Sequence, residues 1–127
     1  MDPTTRGDEE LSELQKYQKA YWDGEYPKAV ELFPLLTTDE QGNDNYRFTY
    51  ANALLETGKT NQAISIFESI IKNNRSKYVA EAYFGLAMGQ LRKENTVQAN
   101  ELLTKYVKLE KARKKEQANE IIHKLKE

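Results

Sequence analysis

Gly24-Glu25-Tyr26-Pro27-Lys28-Ala29-Val30-Glu31-Leu32-Phe33 and Gly58-Lys59-Thr60-Asn61-Gln62-Ala63-Ile64-Ser65-Ile66-Phe67 stand 34 residues apart and share one pattern, G-x4-A-x3-F. A third stretch, Glu94-Asn95-Thr96-Val97-Gln98-Ala99-Asn100-Glu101-Leu102-Leu103, follows 36 residues later with Glu in the place of Gly and Leu in the place of Phe. Self-similarity at such a period marks a chain built from like supersecondary units. Gly24 and Gly58 predict helix stops, because a chain leaving a helix often takes a positive φ that only Gly adopts freely. Pro27 suits the first turn of the next helix, and Thr60 or Asn61, and Asn95 or Thr96, are candidate caps for the two that follow. Beyond these starts apolar residues recur at helical spacing: Ala63, Ile66, Phe67, Ile70 and Ile71, then Ala99, Leu102, Leu103, Tyr106 and Val107.

Ala29, Ala63 and Ala99 are small where paired helices must cross closely, and Phe33, Phe67 and Leu103, four residues on, fill the space between pairs. The stretches before each turn are also helical in period. Residues 9–22 carry Leu11, Leu14, Tyr17 and Tyr21; residues 44–57 carry Tyr46, Tyr50, Ala51 and Leu54; residues 76–92 carry Val79, Tyr83, Leu86 and Ala87. Pro34 falls inside the second helix of the first pair and predicts a kink or an early end. Residues 112–126 place Ala118, Ile121, Ile122 and Leu125 on one face and charged residues on the other, as a capping helix does. The prediction is an all-α chain: a flexible arm over residues 1–8, three helical hairpins over 9–109 (about 9–38, 44–73 and 76–109), and a C-terminal capping helix over 110–127.

Composition agrees with helices and narrows the chemistry. The 127 residues, 39% hydrophobic and 31% charged, suit one folded domain, and 6 Gly with 3 Pro are few for a barrel or sandwich. With no Cys there is no disulfide, thiolate metal site or thiol nucleophile. His123, the one His, beside Ile122 and Lys124, reads as a surface histidine, and two-His metal sites are excluded. Asp39-Glu40-Gln41-Gly42-Asn43-Asp44 resembles a calcium loop only superficially: its sixth and twelfth places hold Asp44 and Tyr50 where Gly and Glu are needed. It reads as a polar turn whose Asn43 or Asp44 caps the next helix. No Gly-rich loop ends in Gly-Lys-Ser or Gly-Lys-Thr, so no nucleotide site is expected. We expect no enzyme activity, no cofactor and no metal.

The start of the chain is polar and acidic, and no apolar run is long enough for a signal peptide or membrane span, so no membrane insertion by this chain is expected. Charge is unevenly spread. Residues 1–45 hold four basic and eleven acidic residues, whereas residues 105–127 hold eight basic and four acidic ones. The basic run Lys105, Lys108, Lys111, Arg113, Lys114, Lys115 is interleaved with Glu110 and Glu116, and the isoelectric point is near 6.0, so nucleic acid is not expected as a partner. Opposite charge at the two ends makes head-to-tail association of copies an open alternative.

The 34-residue period, the G-x4-A-x3-F turns and Tyr83-x2-Leu86-Ala87 resemble the tetratricopeptide repeat. The resemblance covers about residues 9–109. It implies a short right-handed superhelix, an α-solenoid with a concave groove, and a role in binding a protein or peptide partner. The chain departs from the motif in its first repeat, where Glu13, Lys16 and Tyr17 replace the large aromatic, Leu and small residue, and no copy has the inter-repeat Pro. Counting back from each turn, the resemblance assigns the groove to Gln18 and Tyr21, then Phe48, Asn52 and Leu55, then Phe84, Met88 and Leu91. Asn52 can grip a peptide backbone, and the aromatic and Met side chains can receive apolar groups. The clamp with which some family members hold acidic C-termini is absent, since its places read Leu14, Gln18, Thr49, Glu81 and Gly85. A face covered by the last helix or by the N-terminal arm is the alternative to an open groove, and a self-assembling spacer the alternative to an adaptor. The order of elements and the leading Arg6-Gly7-Asp8-Glu9-Glu10 also resemble soluble parts of bacterial proteins tethered by a preceding membrane helix, which implies a domain of a larger envelope protein.

Overall fold

The computed structural model describes residues 10 to 127, and all regular structure among them is helical. The arm expected over residues 1–8 lies outside the described residues. Among the described residues the first helix, α1, spans Glu13–Trp22. It begins later than the expected Glu9 because Ser12 and Gln15 form a reciprocal cap: Ser12 Oγ accepts the Gln15 amide at 3.1 Å and Gln15 Oε1 accepts the Ser12 amide at 2.8 Å. Helix α2 spans Tyr26–Leu32 with Pro27 in its first turn. It stops where Pro34 has no amide to donate, and the chain continues as a 3-10 turn over Phe33–Leu35 that still buries Phe33.

Part of the stretch expected as a polar turn is itself a short helix, α3, Thr38–Gln41. Thr37 and Glu40 cap it reciprocally, at 3.1 and 2.9 Å. Helix α4, Asp44–Glu56, then starts at Asn43, whose Oδ1 accepts the amides of Asn45 and Tyr46. Helices α5 (Thr60–Lys72), α6 (Val79–Arg92), α7 (Thr96–Val107) and α8 (Lys115–Leu125) complete the chain.

Three turns are built alike. Gly24, Gly58 and Glu94 adopt positive φ of 79°, 83° and 63°. After each, the next amide donates back five residues: Glu25 to the Ala20 carbonyl, Lys59 to Leu54 and Asn95 to Gln90, all at 2.8 Å. These are Schellman closures, which satisfy carbonyls that a helix end leaves bare. The same geometry corrects the capping expectation. Lys59 and Asn95 occupy the cap positions with ψ of 60° and 73°, and no side chain caps α5 or α7. A capping side chain works from extended backbone, and here the closing turn of the previous helix has already set those angles. Asn95 instead donates its amide to Gln90 Oε1 at 2.7 Å.

Packing runs along the chain: α1 on α2, α2 on α4, α4 on α5, α5 on α6, α6 on α7 and α7 on α8. The apolar interior is correspondingly divided into three clusters. One joins Tyr17, Ala29, Phe33 and Ala53; the next Ala51, Leu54, Ala63, Phe67 and Leu86; the last Ala87, Leu103, Tyr106 and Ala118. Helix α4 thus faces two cores, with Ala53 in one and Ala51 in the other, and α6 likewise divides Leu86 from Ala87. Ala29, Ala63 and Ala99 are wholly buried, as the close crossings require. Among the described residues no helix is long and apolar enough to cross a membrane.

Candidate binding groove

The faces of α4 and α6 that α5 and α7 leave uncovered enclose a cavity of about 710 Å³. From α4 come Phe48, Asn52 and Leu55, one helical turn apart in succession; from α6 come Phe84, Met88 and Leu91. Tyr21, at the end of α1, closes one end. Its hydroxyl accepts the Asn52 side-chain amide at 3.2 Å, and burial pushes its phenol above the ordinary range. Every residue assigned to the groove from the sequence therefore lines this cavity except Gln18. Gln18 sits one turn earlier on α1 and lines a smaller hollow of about 40 Å³ with Tyr17, Tyr46, Thr49 and Tyr21, the last of which it shares with the main cavity.

Several lining residues were not expected. Tyr26 packs edge-on against Tyr21, with ring centres 5.6 Å apart, at the same end as Glu56 and Arg92. Arg92 donates to the Leu55 carbonyl and lies 3.7 Å from Glu56, so a cation from α6 holds the C-terminal end of α4. At the opposite end the link between α7 and α8 forms the wall. The Lys114 amide donates to Tyr106 Oη at 2.7 Å, the Lys114 ammonium stands 4.9 Å from the centre of the Phe84 ring, and Arg113 Nε approaches Glu81 Oε2 at 3.8 Å. Glu81 Oε1 is buried without a hydrogen-bond partner. Arg113 and Lys114 read as part of the capping segment in the sequence; nothing in their spacing showed that the link would bring them to Phe84.

The last helix does not cover this face: α8 packs on α7 and contributes no lining residue. Aromatic faces, one side-chain amide and charged ends line the cavity. Among the described residues no group of three His, Asp or Glu side chains is placed to hold a metal, and His123 lies outside the cavity beside Glu127. No family model matches the sequence, and no curated protein matches it.

Proposed function

We propose that this chain is a non-catalytic interaction module, a tetratricopeptide-like array of three hairpins with a capping helix, that binds a peptide or protein segment in the groove between α4 and α6. The 34-residue period and the three like turns support the repeat reading. One observation carries the binding role: Tyr21, Phe48, Asn52, Leu55, Phe84, Met88 and Leu91, which the resemblance to tetratricopeptide repeats assigns to a ligand-binding face, line one cavity. Such a site, apolar with a few polar groups at its ends, is the usual form of a recognition cleft.

A random peptide library displayed against the chain tests this. Peptides selected on the unmodified chain should bind Asn52→Ala/Met88→Glu at least about tenfold more weakly, a loss of about 1.4 kcal/mol, with helical content and a cooperative unfolding transition checking that the variant is folded, since Met88 also packs against the core. Equal binding to a folded variant would remove the groove from the mechanism.

A further inference from the structure

We propose that the groove receives the α1–α2 turn of a second copy of this chain, with Trp22 as its anchor. The inference rests on the groove being a binding site, and it names the occupant.

Trp22 is the chain's one Trp and is 76% exposed at the end of α1. Its indole stands edge-on to Tyr21, with ring centres 5.1 Å apart, so a large apolar group is presented to solvent. Exposed aromatics of this kind form the energetic centres of protein interfaces. Trp22 does not line its own copy's groove, and α1 cannot swing to bring it there, because Tyr17 and Ala20 anchor that helix in the core. The residues that follow, Asp23, Gly24 and Glu25, make the tip of the turn acidic, with no cation between Trp22 and Pro27. Asp23 holds Lys19 at 3.0 Å on an exposed surface, a weak pairing, and Glu25 is in no ion pair among the described residues.

At the far end of the groove two cations, Arg113 and Lys114, stand with one carboxylate, Glu81, so the net charge there is opposite to that of the tip. Phe84 and Met88 offer an apolar seat, and beside it the Lys114 ammonium has the Phe84 ring face as its neighbour and no carboxylate within ion-pair distance among the described residues. An indole seated on Phe84 and Met88 would bring Asp23 and Glu25 toward Lys114. The wider charge distribution favours the same approach: residues 10–45 hold eight acidic and three basic residues, and the link over residues 108–114 holds four basic residues and one acidic one, whereas the last helix is balanced. Donor turn and acceptor groove are different surfaces, so the contact is head-to-tail and each added copy exposes a new groove or a new turn.

Because Trp22 is unique, its fluorescence reports its own burial. The full chain would be followed by light scattering and Trp emission from about 1 μM to about 1 mM, spanning weak to moderate association. Mass should rise beyond that of one chain with concentration while emission moves to shorter wavelength. Both changes should reverse in about 1 M salt, where charges are screened beyond about 3 Å. Lys114→Glu should weaken association at least tenfold, as should Asp23→Lys/Glu25→Lys. Mixing the two charge-reversed chains should restore both contacts between unlike partners, so that the two variants alternate and mass again rises with concentration, while each variant alone stays near the mass of one chain. A chain that stays monomeric with constant emission overturns the proposal, as does association that leaves emission unchanged or persists in Asn52→Ala/Met88→Glu. If copies fail to associate while library peptides still bind in the groove, the occupant is wrong and the groove reading stands.

Discussion

The ring of Phe67 on α5 rests against the Cα of Gly85 on α6, so closely that a methyl group at position 85 would overlap it. Phe67 has nowhere to withdraw, being wholly buried and edge-on to Phe48 at 6.1 Å. A Gly inside a helix costs about 0.5 to 1 kcal/mol relative to Ala, and here that cost is offset by the close approach of two helices. Gly85→Ala should therefore lower stability by about 1 to 3 kcal/mol through overpacking. In a double-mutant cycle with Phe67→Leu the combined loss should be smaller than the sum of the two. Urea unfolding measures both, and additive losses would mean that the ring is not what excludes a side chain at Gly85.

Glu94 carries the positive φ that Gly24 and Gly58 carry in the other two turns. A side chain in that region costs about 1 to 2 kcal/mol. Glu94→Gly should recover part of this and raise the melting temperature, and Gly58→Ala should lower it. Nothing lies within 4 Å of a Cβ placed on Gly58, so the second effect would be one of backbone conformation alone. A melting temperature that falls for Glu94→Gly would show that the Glu94 side chain contributes more than its backbone strain removes.

Ala63 is wholly buried at the crossing of α4 and α5. Ala63→Leu should force the helices apart and destabilise by about 1 to 3 kcal/mol. Ser65→Leu, on the exposed side of the same helix, should change stability by less than about 0.5 kcal/mol. The contrast separates crowding from any general effect of added Leu, and an unchanged melting temperature for Ala63→Leu would count against the tight crossing.

Tyr17 is buried beneath α4, its hydroxyl 2.8 Å from Thr49 Oγ1. Burial raises its phenol above the ordinary value, the Thr49 hydrogen bond opposing this in part. A raised folded value means that above about pH 10 the unfolded chain releases a proton that the native chain keeps. Stability from this group is thus complete below about pH 10 and falls as pH rises beyond it. Tyr17→Phe should cost about 1 kcal/mol near neutrality, for the lost hydrogen bond, and should show a shallower decline above about pH 10. Urea midpoints on both sides of that pH measure the slopes, and parallel curves would show that Tyr17 does not govern alkaline unfolding.

Much of the groove was legible because the resemblance to tetratricopeptide repeats points to one face of the first helix of each pair, and position on that face follows by counting. Phe48, Asn52 and Leu55 recur at turn spacing, and any straight helix that ends at Gly58 brings them to one side. Gln18 escaped that logic because the cavity closes at Tyr21, one turn beyond it. The caps expected at Thr60 or Asn61, and at Asn95 or Thr96, failed because each turn's backbone is dictated by the helix behind it, not by the side chains ahead.

The order of the longer helices and the turns at Gly24 and Gly58 are written in the sequence, since the 34-residue period, the two glycines and the apolar stripes act through neighbours within a turn or two; the start of α1 and the short helix α3 are not. Only the tertiary structure decided that Ala51 and Ala53 would serve two different cores, that Phe67 would lie on Gly85, and that Lys114 would reach the face of Phe84. The reason is physical. Periodicity encodes direction around one helix axis, whereas these contacts depend on how far apart two axes lie and on the path of the link from Lys108 to Lys114, which is set by packing across the whole chain.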